Sequence, residues 1–213
     1  MDTTKLKDFG LNVLDILINV IVIVVLVYFV RSYIIAPFQV YGPSMCDTLN
    51  SYDGNCHNEF GEYIIINKAI YLGIIGEPQR GDVIVFKPPI EKDDYYIKRI
   101  IGVPGDTIEI EGGKLYLTNE ENPDGVELSE PYLSERNAGH TATYGNSEFE
   151  VPEEHYLVMG DNREKSTDSR SCFTDPFSGG CGRDDTTPFL PEENITGKAW
   201  IVLHPFNRVR AIE

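Results

Sequence analysis

Basic residues are scarce in this chain. It has 18 lysines and arginines against 34 aspartates and glutamates, which gives a formal net charge of −16 at neutral pH. Such an acidic protein has no electrostatic attraction to nucleic acid, and no polybasic run is present that would bind an anionic lipid surface. The composition therefore argues against a nucleic-acid-binding protein.

Histidine is also sparse, and no catalytic-triad motif contains one. The four histidines are His57, His140, His155 and His204. The oxygen-rich run DNREKSTDSR, 161–170, lacks the glycine and the terminal glutamate of a calcium loop. We therefore expect neither a metal ion nor another cofactor.

Cysteine is limited to Cys46, Cys56, Cys172 and Cys181. An even number of cysteines suits disulfides in an oxidising compartment. Three pairings are possible, and the local pairs Cys46–Cys56 and Cys172–Cys181 are the simplest. A four-cysteine zinc site and free thiols remain alternatives, although the spacings differ from the usual C-x2-C and C-x4-C of zinc sites.

One long apolar run is present, over residues 11–30, and Asn12, Asp15 and Asn19 alone interrupt it. Twenty helical residues span about 30 Å, which is the thickness of the hydrocarbon core of a bilayer. A cleaved signal peptide is the alternative. The run is longer than a usual signal-peptide core, however, and no small-x-small site follows it closely.

The basic residues around this run indicate its orientation. Lys5 and Lys7 precede it, and only Arg31 lies shortly after it, which favours a cytoplasmic N-terminus. We predict a single-pass protein of the plasma (inner) membrane. Its predicted parts are a cytoplasmic segment 1–10, a transmembrane helix 11–33 and an extracytoplasmic domain 34–213.

The remainder of the chain reads as short β-branched or aromatic runs between Gly, Pro, Asn and Asp clusters. This pattern predicts an all-β domain with two packed sheets. Gly112 and Gly113 suit a tight hairpin turn. The predicted strands are 38–41, 63–67, 82–86, 95–101, 107–110, 114–118, 156–159 and 198–203. Residues 119–155 have few apolar runs and suggest an inserted subdomain or a mobile loop.

The run YYIKRIIGVPGD, 95–106, places a lysine inside a segment that otherwise reads as a buried strand. Side chains alternate along a strand, so Tyr96 and Lys98 share one face and Arg99 lies on the other. A desolvated lysine can lose its proton, whereas arginine effectively cannot. Lys98 is therefore a candidate general base, with a solvated strand charge as the alternative.

Two further segments supply partners for such a base. YGPSMCDTL, 41–49, carries Ser44 after a Gly-Pro turn, which alone indicates no more than a turn serine. GDNREKSTDSR, 160–170, carries Ser166. A hydroxyl nucleophile, a neutral amine and a second hydroxyl that orients the amine form a complete catalytic set.

These segments resemble the boxes of the bacterial type I signal peptidase family, whose members are membrane-bound serine proteases with a Ser/Lys dyad. PSMCDTL is similar to the nucleophile box, RGDVIVF to a strand box, IKRIIGVPGD to the lysine box, GDNREKSTDSR to the last box and GKAWIVLHP to a closing strand. The matches keep the family order, and between the anchor and about residue 205 they omit only the stretch between Asp106 and Glu150.

The resemblance implies a mostly β fold of packed antiparallel sheets, with one N-terminal transmembrane helix and a variable insertion at about 119–155. It also implies a membrane-anchored serine endopeptidase that removes N-terminal signal peptides through an acyl-enzyme. The implied partners are signal-peptide-bearing preproteins and the lipid bilayer, while the oligomeric state stays open.

The resemblance also implies a role for each matching residue. Ser44 would be the nucleophile, Lys98 its general base, and Ser166 a hydrogen-bond partner of the lysine amine. The expected supporting ion pairs are Asp161 with Arg99 and Asp168 with Arg170. Met45 would lie beside the dyad in the substrate groove.

Two positions depart from the family pattern. Asp47 replaces the proline of S-M-x-P-T-L, and it could change the backbone or raise the pKa of Lys98 if it lies close. Gly42 replaces a serine whose hydroxyl helps some members bind the oxyanion. The oxyanion would then rely on the Ser44 amide, with a second backbone or water donor as an additional candidate. Cys46 is a less favoured alternative nucleophile.

Two rival functions remain. A related Ser/Lys peptidase could act on particular substrates, as a conjugation or maturation protease does. An inactive anchored β domain could serve as a binding or scaffold protein, and Asp47 is the best argument for it.

Overall fold

The N-terminal part of the chain is one long apolar helix. The computed structural model describes residues 3–52, 55–56, 60–71, 76–90, 93–175, 180–182 and 186–212. Helix α1, Thr3–Phe29, continues as a π-helical stretch, Val30–Ile34. The segment Asn12–Ile34 is long and apolar enough to cross a membrane, and it buries none of its length inside the protein.

Short antiparallel strands form the rest of the described structure. They are β1 Ile35–Tyr41, β2 Ser51–Tyr52, β3 Asn55–Cys56, β4 Phe60–Asn67, β5 Val83–Phe86, β6 Tyr96–Gly102, β7 Thr107–Glu111, β8 Lys114–Thr118, β9 Val126–Glu127, β10 Glu148–Glu150, β11 His155–Met159, β12 Leu190–Pro191, β13 Ile195–His204 and β14 Arg210–Ala211. Single 3₁₀ turns occur at Ala69–Tyr71, Ser169–Ser171, Gly180–Gly182, Glu192–Asn194 and Phe206–Arg208.

Two main sheets confirm the predicted fold class. The larger has the strand order β1-β4-β13-β5-β6-β11-β12, with β14 paired to β13, and the smaller has the order β10-β7-β8-β9. A separate ladder joins β2 and β3. Each predicted strand corresponds to an observed one, and the strands that the sequence did not predict are only two or three residues long.

Hydrophobic side chains fill both faces of the central strands. All four residues of β5 are buried, as are the last four of β11. One apolar cluster packs β1, β4, β5 and β13 together, and a second lies between the small sheet and the strands β6 and β11. On β6, Lys98 pairs with Ile84 of β5, whereas the next residue, Arg99, pairs with both β5 and β11.

The polar stretch 119–155 belongs to this architecture. It supplies β9 and β10 to the small sheet, and it buries the side chains of Asn137 and Thr141. Apart from β9 and β10, residues 119–154 form turns, bends and irregular structure, and the interpretation of the stretch as an insertion stays a prediction. The few apolar residues of the stretch do not form a core of their own. Polar residues between them make specific hydrogen bonds to the rest of the domain.

The turn between β7 and β8 provides a test of the fold. Gly112 and Gly113 have φ of +58° and +83°, and an ideal Cβ on Gly113 would lie 2.2 Å from the Gly139 carbonyl oxygen. We expect Gly113→Ala to lower the free energy of unfolding by about 2 kcal/mol or more, because strain and a backbone clash combine. Denaturant unfolding of the full chain in detergent measures this change.

Gly112→Ala is the matched control, since its Cβ would meet nothing within 4 Å. It carries only the left-handed backbone penalty of about 1 kcal/mol. Equal losses in the two variants would contradict the close approach of Gly139 to the hairpin.

Candidate active site

A tight loop after β1 presents Ser44. Gly42 opens the loop at φ +81°, a backbone conformation that favours glycine. The Cys46 amide then donates to the Pro43 carbonyl at 3.0 Å, and the Leu49 amide donates to the Met45 carbonyl at 2.7 Å. These bonds fold residues 42–50 into a compact turn on the larger sheet.

Lys98 lies on β6 and points at this turn. Its Nζ lies 2.8 Å from Ser44 Oγ and 2.9 Å from the Ile97 carbonyl oxygen. The Tyr96 ring centroid is 5.3 Å from the same nitrogen. Only 4% of Lys98 is exposed to solvent, so its amine is held in largely water-free surroundings.

Burial makes this amine easier to deprotonate. Desolvation lowers the pKa of Lys98 from 10.5 to about 8, against the smaller raising effects of the Asp168 and Asp161 charges. The Arg170 charge lowers the pKa further. At neutral to mildly alkaline pH a useful fraction of Lys98 is therefore a neutral amine beside the Ser44 hydroxyl.

Two buried arginines pair with the carboxylates near the lysine. Arg99 donates from Nε and Nη2 to Asp161 at 3.0 and 2.8 Å. Arg170 donates in the same two-pronged way to Asp168 at 2.9 and 2.8 Å. Burial alone would raise the pKa of Asp168, but Arg170 and the Gly160 amide outweigh it and hold the pKa below its usual value.

Ser166 does not make the hydrogen bond expected of it. Its hydroxyl is buried and lies close enough to Asp168 to help lower the pKa of that carboxylate. Among the described residues, however, Ser166 Oγ reaches no partner at hydrogen-bond geometry, and the Lys98 amine is already bonded to Ser44 and Ile97. Gly160 packs directly against Ser166, because an ideal Cβ on Gly160 would lie 2.2 Å from Ser166 Oγ.

Met45 also differs from expectation. It is 1% exposed and packs into the apolar cluster under β1 and β4. It does not line the groove beside Ser44, because the turn directs its side chain inward. Gly42 does line that groove.

The groove next to Ser44 has a volume of about 610 Å³. One wall is the continuous backbone from Phe38 to Ser44, along the outer edge of β1. The opposite wall is formed by residues 94–98 of the β6 segment, and Ile64 and Val85 contribute apolar surface. An extended peptide could therefore pair with β1 and place small side chains against an apolar base.

Two asparagines that the sequence did not single out fix the turn. Asn162 donates from its side chain to the Pro43 carbonyl and from its backbone to the Ser44 carbonyl, both at 3.0 Å. Asn50 donates to the carbonyls of Val40 and Gly42 at 3.3 Å. Asn162 lies inside the GDNREKSTDSR segment, and this location is the sequence feature that could have identified it as a residue of the site.

Both local cysteine pairs are disulfides in the structure. The S–S distances are 2.00 Å for Cys46–Cys56 and 1.97 Å for Cys172–Cys181. Cys46 therefore carries no free thiol that could act as a nucleophile. The carboxylate of Asp47 turns away from the lysine and accepts hydrogen bonds from Ser134 and Asn137.

Comparison with known proteins places these features in one family. The family model "Signal peptidase, peptidase S26" matches residues 13–204. Signal peptidase I of Bacillus licheniformis is 34% identical over 196 residues, which cover 90% of this chain and 88% of that protein. Signal peptidase I of Pseudomonas aeruginosa is 32% identical over 226 residues, covering 92% of this chain and 72% of that protein.

A solved signal peptidase I from Enterococcus faecalis is 30% identical to this chain. It aligns with 57% of this chain and 96% of its own length, with a TM-score of 0.39. The extent of the family-model match and the identity to full-length relatives decide the assignment. This chain belongs to the signal peptidase family, peptidase S26, and is a serine-type endopeptidase.

Proposed function

We propose that this chain removes N-terminal signal peptides from exported proteins, with Ser44 as nucleophile and Lys98 as general base. The observation that carries the proposal is the 2.8 Å distance between Ser44 Oγ and a buried amine. An amine with a pKa of about 8 is neutral often enough to take a proton from a serine hydroxyl.

The first half of the reaction forms an ester. Ser44 Oγ attacks the scissile carbonyl carbon while its proton passes to Lys98 Nζ. The tetrahedral intermediate collapses, the C–N bond breaks, and the Lys98 ammonium gives the proton to the leaving amine. The mature protein leaves with a new N-terminus, and the signal peptide stays bound to Ser44 as an acyl-enzyme.

The second half releases the signal peptide. Lys98 takes a proton from a water molecule, which attacks the ester carbonyl, and the same proton returns to Ser44 Oγ as the ester bond breaks. Gly42 offers no hydroxyl to the oxyanion. The backbone amide of Ser44 therefore takes that role in this chain, because it lies next to the reacting oxygen.

Helix α1 suits a membrane anchor for this enzyme. Its described side chains from Asn12 onward are apolar almost throughout and exposed, so protein packing does not account for them. The charge distribution favours a cytoplasmic N-terminus. The domain that follows would then lie on the outer face of the plasma membrane, where exported chains emerge.

Removing either member of the pair should abolish cleavage. We expect Ser44→Ala and Lys98→Met each to reduce kcat/KM for a signal-bearing precursor about a thousandfold or more. In the parent, protonation of Lys98 removes the base, so kcat/KM should fall tenfold per pH unit below a midpoint of about 8. A gel-based cleavage assay of the full chain in detergent gives both results.

The matched controls are Ser147→Ala and Lys114→Met, which remove the same groups at exposed positions. Cleavage that survives Ser44→Ala or Lys98→Met would contradict the dyad. A parent that cleaves no precursor would favour the scaffold protein, and cleavage of only one specialised precursor would favour a maturation protease.

The low pKa of Lys98 should also cost stability. The unfolded chain binds a proton on this amine below 10.5, whereas the folded chain does so only below about 8. Stability of the parent should therefore rise as the pH rises through this window. In Lys98→Met that dependence is absent. The free energy of unfolding of Lys98→Met minus that of the parent should therefore fall by about 2 to 3 kcal/mol between about pH 7 and about pH 10.

Denaturant unfolding of both proteins in detergent at the two pH values measures this difference. Lys114→Met controls for removal of an exposed amine. A stability difference that does not change with pH would mean that Lys98 titrates as it does in water.

The anchor proposal predicts both attachment and orientation. In intact spheroplasts, external protease should digest the C-terminal domain and leave an N-terminal tag protected. The double substitution Val20→Arg and Val24→Arg should release the chain from carbonate-washed membranes, because each arginine near the bilayer centre costs about 3 kcal/mol. Digestion of the domain only after lysis would reverse the proposed orientation.

A further inference from the structure

Asp47 stands three residues after the proposed nucleophile, where the family pattern has proline. Its Oδ2 accepts a hydrogen bond from the Ser134 amide at 2.7 Å and another from Asn137 Nδ2 at 2.9 Å. Proline could accept neither bond. The departure from the family pattern is therefore matched by partners in the polar stretch 119–155.

Asn137 connects Asp47 to the segment that carries Ser166. Its Nδ2 donates to Asp47, while its Oδ1 accepts from the Arg163 amide at 3.0 Å. Only 2% of Asn137 is exposed, and its bond to the Arg163 amide is buried, while its bond to Asp47 is partly buried. One side chain thus joins the nucleophile turn to the loop 160–170.

The link continues from Arg163 to Ser44. Arg163 Nε donates to the Gly160 carbonyl at 3.2 Å, and Gly160 packs so closely that an ideal Cβ would lie 2.4 Å from the Ser44 carbonyl oxygen. The backbone amide of Asn162 donates a hydrogen bond to the Ser44 carbonyl oxygen at 3.0 Å. A shift of Arg163 is therefore passed to the backbone of the nucleophile.

Side chains around Asn137 secure this part of the insertion on the site. The Glu130 carboxylate forms an ion pair with Arg163, and Thr141 Oγ1 accepts from Arg163 Nη1 at 2.7 Å. The Tyr132 ring centroid lies 3.9 Å from the Arg99 guanidinium carbon, over the ion pair to Asp161. Residues 130–141 consequently contact arginines of both the lysine strand and the last box.

We propose that Asp47 and Asn137 are positioning residues for the cleavage reaction. Together they tie the nucleophile turn to the loop 160–170 and so fix the distance from Ser44 Oγ to Lys98 Nζ. This inference rests on the proposed Ser44 and Lys98 mechanism. Neither residue lines the groove beside Ser44, and both line a separate surface pocket.

The test compares single and double variants of the full chain in detergent, with kcat and KM measured separately on a synthetic precursor. Asp47→Ala and Asn137→Ala should each lower kcat about tenfold and leave KM unchanged, because a small displacement of reacting groups slows chemistry without weakening binding. The double variant should have a kcat no lower than that of the slower single variant, since each substitution breaks the same connection through the Asp47–Asn137 hydrogen bond.

Asp47→Asn is the conservative rescue. An amide oxygen has two lone pairs and can accept both bonds, so this variant should keep kcat within about twofold of the parent. Glu135→Ala is the matched control, because it removes an exposed carboxylate from the same segment. Its kcat and KM should equal those of the parent.

Several results would overturn the inference. They are an unchanged kcat in Asp47→Ala, equal damage from Asp47→Asn and Asp47→Ala, additive losses in the double variant, or a loss of activity that only follows the unfolded fraction seen by circular dichroism. Ser44→Ala run in parallel separates the two proposals. If Ser44→Ala stays active, the catalytic proposal fails; if it is inactive while Asp47→Ala is unaffected, only the positioning inference fails.

Discussion

The proposed chemistry depends on burial that lowers the pKa of one lysine amine next to a serine hydroxyl. Desolvation supplies the main effect, since Lys98 is 4% exposed and its pKa falls to about 8. Two carboxylates close enough to oppose this, Asp161 and Asp168, are each held by two hydrogen bonds from an arginine. Because each negative charge is balanced within its own pair, burial prevails at the amine. Strand β5 pairs with Lys98 on one side, and the burial of the residue keeps away the water that would favour the charged form.

The turn that carries Ser44 lies between two different surfaces. On one side lies the groove, where the outer edge of β1 is suited to an extended peptide. On the other side the polar stretch 130–141 contacts Asp47, Arg99 and Arg163. This division explains how a segment with few apolar residues can be well packed. It contributes hydrogen bonds and ion pairs to groups that are already buried, and such groups are expensive to leave unpaired.

Much of this could be predicted from the sequence, and the remainder depends on distant contacts. Alternation of apolar residues located the long strands, because one buried face imposes a period of two. The order of the motifs predicted that Ser44 and Lys98 are close in space, and Lys98 Nζ lies 2.8 Å from Ser44 Oγ. The hydrogen bond between Asn137 and Asp47 joins residues 90 positions apart in the sequence, and no local sequence pattern predicts it. The burial of Met45 and the lack of a hydrogen-bond partner for Ser166 Oγ likewise depend on the three-dimensional packing of the turn and of the loop 160–170.

The most direct test is a titration of the Lys98 amine itself. Full-length protein with ¹³C-labelled lysine side chains, in detergent, gives an Nζ-linked methylene signal for each lysine, and the signal missing from Lys98→Met identifies the residue. Its chemical shift should titrate with a midpoint of about 8. A midpoint at the ordinary lysine value of about 10.4 would show a solvated ammonium group and would contradict the account.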